Sequence, residues 1–123
     1  MADLSLSIPQ SIVDALPEDG ENARRDMERA VSGWERQLER LLDEAEDAGG
    51  VVQMVDRFET RWERYDDYVV ELRAWGQSPI YAMAWRDLLA SVLRQVYEHE
   101  DLGDRIDRER NARIVEDGIR KEG

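Results

Sequence analysis

Two stretches of this chain repeat one spacing. Apolar residues fall at Met27, Val31, Trp34, Leu38, Leu41, Ala45 and Ala48, and again at Val51, Val55, Phe58, Trp62, Tyr65, Val69 and Leu72. Both runs alternate steps of four and three, the heptad seam of a helix that buries one narrow stripe. Between them stand Gly49 and Gly50. Two adjacent glycines weaken a continuous helix by about 2 kcal/mol, and glycine accepts the positive φ of a helix C-cap and a tight reversal. The pattern predicts an antiparallel helical hairpin, residues 23–48 and 51–75, with its seams closed on each other, in preference to one kinked rod.

The rest of the chain adds helices around this hairpin. Asn22 suits the N-cap of the first long helix. Gly76 ends the second; Ser78 and Pro79 suit the N-cap and first position of a third long helix over residues 79–98. That third helix is apolar around most of its girth, from Ile80 and Tyr81 to Val96 and Tyr97. Such a helix is surrounded on several sides, by the hairpin and by either the N-terminal turns or a second copy of the chain. Residues 1–21 read as an arm: "DLSLSIP" alternates in the manner of an extended segment, and "SIPQSIVDALP" reads as one or two helical turns. The arm is either docked on the domain or reaching to a neighbour. Residues 103–123 read as a charged helix or arm, capped at Asp104 and running to about Asp117, thin in apolar residues. The expected fold is all-α, one helical domain spanning residues 1–123.

Charge narrows the setting. Lys+Arg total 17 against 29 for Asp+Glu, a formal net charge of -12. The whole-molecule field opposes nucleic acid and anionic membranes, so specific nucleic-acid binding is not expected. Lys121 is the single lysine and all other basic residues are arginines. An acidic, lysine-poor composition points to a protein adapted to high salt, where screening relieves carboxylate repulsion. A GC-rich genome accounts for the missing lysine but not for the surplus acid. No segment approaches the length of an apolar membrane span, and "MADLSLSIPQ" lacks the positive charge and apolar core of a signal peptide. The expected location is cytoplasmic, or a virion assembled from the cytoplasm.

Catalytic chemistry has few starting points. There are no cysteines, which excludes disulfides, thiolate metal sites and a cysteine nucleophile. His99 is the sole histidine; in "YEHED" it is placed to complement, as a cation, the C-terminus of the third long helix. Ser32, Ser78 and Ser91 lack a nucleophile-elbow context. The Glu-x-x-His pattern of di-iron bundles, the calcium-loop spacing and the phosphate-loop lysine are all absent. Pairs such as Asp66-Asp67 read as solvated acid. No catalytic residue, metal ligand or cofactor is expected.

What remains is contact with other proteins. Candidate interface residues are Leu4, Leu6 and Ile8 on the arm, and Tyr68 and Trp75 beside the second seam. Leu89 and Leu93 on the third helix join them, as do Ile106, Ile114, Val115 and Ile119 on the tail. Surplus apolar surface on a small protein marks interfaces. The expectation is a non-enzymatic assembly subunit of a halophile, pairing with its own copies or with neighbouring structural proteins, in the manner of a virion neck or connector (head–tail adaptor) component. The alternative is an acidic regulatory module: an antitoxin, an anti-defence protein or a DNA mimic.

Overall fold

Gly76 sits at φ +70° and closes one helix before the next begins. The Gln77 N–H donates to Leu72 O at 2.8 Å and the Gly76 N–H to Arg73 O at 3.1 Å, the paired bonds of a Schellman cap that a left-handed glycine permits. The turn it creates reverses the chain within five residues. The structure, a computed structural model, describes residues 4–43 and 49–122, and for 115–122 the backbone alone. Its helices are α1 (Gln10–Ala15), α2 (Glu21–Asp43), α3 (Gly50–Ala74), α4 (Ile80–Glu98) and α5 (Glu100–Glu122). There is no strand among the described residues.

The two heptad seams are buried as the spacing requires. Met27, Val31 and Leu38 of α2, and Val51, Val55, Phe58 and Val69 of α3, are in the core, with Trp34, Leu41, Trp62 and Tyr65 packed against it. Trp34 meets Phe58 edge-on, ring centroids 5.1 Å apart. The closest helix pair, however, is α3 with α4 rather than α3 with α2. The α2–α3 contact runs through rings, Trp34 on Phe58. The short Schellman turn instead folds α4 back antiparallel along α3, tied by Asp66–Arg86 at 3.0 Å near the turn and Glu59–Tyr97 at 2.9 Å at the far end. Asp66, expected as solvated acid, is thus an ion-pair partner. The turn before α3 matches its expected chemistry, with Gly49 at φ +65°.

Two helix starts differ from expectation. The α2 helix starts at Glu21, so Asn22 lies in its first turn and is not its cap. Its expected final residues, Ala45 and Ala48 among them, lie outside the described residues. The last helix starts at Glu100, not at Asp104, because the extended backbone of His99 ends α4 and opens α5. The His99 Nδ1 accepts the Leu102 N–H at 3.3 Å. The ring thus supplies an acceptor at the start of α5, where the first helical N–H groups lack intrahelical partners. Glu100 and Asp101 in the first turn suit the positive end of the helix.

The arm is docked. Leu4 and Leu6 are buried in the core while Ser5 and Ser7 face outward. The Leu6 N–H donates to Glu35 of α2. Gln95 of α4 pairs reciprocally with Ser7: its Oε1 accepts the Ser7 N–H and its Nε2 donates to Ser7 O, both at 2.9 Å. The side-chain amide thus mimics a neighbouring strand. Arm and α1 cover the α4 flank that α3 leaves open, so the girth of α4 is spent largely inside the chain: Ala84, Leu88, Leu89, Val92 and Val96 are all buried.

Candidate functional site

The tail holds a buried charge pair. On α5, Leu102, Arg105, Ile106 and Glu109 recur at steps of three, one and three, which places both charges on the apolar face. Arg105 and Glu109 lie 3.8 Å apart, side chains 7% and 1% exposed. The Arg105 guanidinium donates to Leu41 O and Leu42 O at 3.4 Å each, near the C-terminus of α2. Glu109 Oε2 accepts the Val52 N–H at 3.2 Å, in the first turn of α3. Cation at a helix C-terminus and anion at a helix N-terminus are the favourable signs for both dipoles. The pair joins the two ends that flank the α2–α3 junction. Its role is structural, and it explains why polar residues interrupt the α5 stripe.

The surface site lies on α3. Positions 57, 61, 64, 68, 71 and 75 repeat the four–three spacing on a face adjacent to the buried seam, and all are exposed. They carry Arg57, Arg61, Arg64, Tyr68, Glu71 and Trp75. Half of the acids on this helix are turned to its neighbours, while Glu63, Asp67 and Glu71 stay exposed. The α3 acids Asp56, Glu59 and Asp66 are engaged by Arg113, Arg110 and Arg86 from α4 and α5. Among the described residues, Arg57, Arg61, Arg64 and Glu71 form no ion pair. Exposure rises along the aromatic residues beside this face. Phe58 is buried under Trp34, Tyr65 is half-buried against Trp85 (centroids 6.3 Å, near-parallel), Tyr68 is 46% exposed and Trp75 is 73% exposed. A cleft of about 280 Å³ opens where Trp34, Arg61, Arg64, Tyr65, Tyr68 and Trp85 converge.

The expected interface residues divide into groups. Leu4, Leu6, Leu89 and Ile106 are buried within the chain, and Ile8 and Leu93 are half-buried against its core. Tyr68, Trp75 and Ile114 stand exposed. The side chains of Val115 and Ile119 lie outside the described residues. Of the exposed three, only Tyr68 and Trp75 share a face.

The family match covers residues 1–123, the full stretch that contributes the arm, the hairpins and α5. The chain belongs to DUF7971, a family of unknown function. No curated protein and no solved structure matches it.

For this DUF7971 chain the site must therefore be judged by chemistry. Among the described residues no three His, Cys, Asp or Glu side chains are grouped to hold a metal ion, and no helix is long and apolar enough to cross a membrane. A second polar cluster joins Tyr97, Glu59 and Arg110. The Tyr97 hydroxyl accepts from Arg110 at 2.7 Å and donates to Glu59 at 2.9 Å, with the guanidinium 5.4 Å from the ring centroid. Burial holds the Tyr97 pKa above the ordinary value, the Arg110 hydrogen bond opposes this, and Glu59 adds to it. The cluster ties α3, α4 and α5 together. Sequence reasoning overlooked the arginine row and the Arg105–Glu109 pair; the available signal was a second heptad on α3 and charges at core spacing on α5.

Proposed function

We propose that this chain is a non-enzymatic assembly subunit that works through protein–protein contacts, with the Tyr68–Trp75 face of α3 as a contact surface. The observation that carries this reading is the 73% exposure of Trp75 at the C-cap of α3, in line with Tyr68 on the helix itself. Exposed aromatics beside arginines are the composition of protein interfaces. Copies of the chain itself and neighbouring structural proteins are the partners that fit. The finer version is a component of a halophile's virion, at its neck or connector; the acidic, lysine-poor surface and the small helical form support it. Mimicry of DNA fits less well, because Asp56, Glu59 and Asp66 are engaged by arginines rather than arrayed like phosphates.

The test is the mass in solution, by light scattering after size exclusion, at low and at multimolar salt. A defined oligomer at either salt supports the reading. A monomer under all conditions, with no partner retained from the native assembly, overturns it.

A further inference from the structure

The row on α3 is complementary to itself when reversed. Arg61 and Trp75 lie seven residues to either side of Tyr68, and Arg64 and Glu71 lie four before and three after it. Turning a second α3 end for end about Tyr68 brings Arg61 over Trp75, Arg64 beside Glu71, and Tyr68 against Tyr68. Each unlike contact occurs twice, as a two-fold interface demands.

We infer that α3 pairs antiparallel with the α3 of a second copy of this chain, around a two-fold axis at Tyr68. This rests on the assembly reading above and names its partner and geometry. Four observations carry it. The steps of four and three from Arg57 to Trp75 are those of a helix–helix seam, yet among the described residues no helix covers that face. Of the groups left without an ion pair on it, Arg64 and Glu71 have opposite signs and meet twice across the axis, Arg61 meets an indole, and Arg57 lies beyond the paired row. The row from Arg61 to Trp75 runs about 21 Å, at 1.5 Å per residue, as one straight contact. The cleft walled by Trp34, Arg61 and Tyr65 lies where the second copy's indole arrives, so that a guanidinium meets an aromatic face on each side of the axis. The Arg64–Glu71 contacts set register and orientation, and the three aromatic contacts supply most of the buried apolar area.

Charge exchange and cross-linking test this directly. Arg64→Glu and Glu71→Arg each place like charges together and are expected to weaken the dimer by about tenfold or more at low salt. The Arg64→Glu/Glu71→Arg double variant restores the pairing and is expected to return to within about threefold of the parent. Both positions are exposed, and circular dichroism verifies the fold. Because the chain has no cysteine, Tyr68→Cys provides a unique thiol in multimolar salt as well. It is expected to cross-link two chains through a short bis-maleimide, whereas Val70→Cys, 64% exposed on another face of α3, is not. A strictly monomeric parent overturns the inference while leaving a hetero-partner for the assembly reading. An oligomer indifferent to both single charge changes, or one linked equally by both cysteines, also overturns it and places self-assembly on another face.

Discussion

Arg105 and Glu109 stand one turn apart on α5 and serve opposite ends of two other helices, the guanidinium at Leu41 and Leu42, the carboxylate at Val52. Neither charge reaches water, so each is tolerated because of the other and of the helix ends they meet. Removing one partner takes the ion-pair contact from a charge that stays buried. Glu109→Leu or Arg105→Met alone is expected to cost about 3–5 kcal/mol. The double variant Arg105→Met/Glu109→Leu is expected to recover a large part of that loss. Urea unfolding of the four proteins measures it, and additive single losses would refute the coupling.

The arm makes a local prediction. Gln95→Ala removes the hydrogen bonds to the Ser7 backbone and hydroxyl and is expected to cost about 0.5–1.5 kcal/mol, since the contact is largely solvent-exposed. Amide exchange at Ser7 is expected to speed up, with exchange in α3 unchanged. Equal acceleration throughout the chain would mean that the arm opens only on global unfolding.

Tyr97 sets an alkaline limit. Its pKa is raised in the folded protein, chiefly by burial, so the folded state holds the proton more tightly than the unfolded chain. The resulting stability is complete below the unfolded value of about 10 and is lost as pH rises through the folded value. Thermal unfolding followed from pH 8 upward is expected to show a decline above about pH 10 that Tyr97→Phe reduces. An unaltered slope in Tyr97→Phe assigns the decline to other groups.

Trp75 separates binding from folding. With its side chain mostly in solvent, Trp75→Ser is expected to change monomer stability by no more than about 0.5 kcal/mol while lowering the solution mass of any oligomer. Loss of several kcal/mol with no effect on mass would assign Trp75 to the fold.

Most of the helical plan was legible because its determinants are local. The heptads from Met27 to Leu41 and from Val51 to Leu72 specify their own buried faces, and Gly49 and Gly76 occupy the left-handed turns that glycine alone enters cheaply. The docking of Leu4 and Leu6 was left open, since alternation says that one face is buried but not against what. The choice of α4 as the closest partner of α3 depends on the size of Trp34 and Phe58 in three dimensions. Asp104 was a misleading cap: His99 supplies an acceptor one turn earlier, where imidazole is an unusual capping group. Arg105 and Glu109 resembled solvated charge because their partners are backbone groups far away in sequence. On the site, Tyr68 and Trp75 were visible as aromatics off the seam. The arginine row became meaningful only once the neighbouring acids were seen turned toward Arg86, Arg110 and Arg113.

The span of the buried charge pair also bears on the order of events during synthesis. Glu109 meets Val52 across 57 residues and Arg105 meets Leu41 across 64. The α3–α4 hairpin needs only the short Schellman turn to close, so it can form while α5 is still inside the ribosome. The far end of α2 and the start of α3 have no such freedom. They wait for α5, whose arrival both shields that junction and supplies its polar contacts to Leu41, Leu42 and Val52. A chain cut short before Glu109 and released would therefore hold a finished α3–α4 hairpin beside an unlatched α2–α3 junction, and the latch is thrown late.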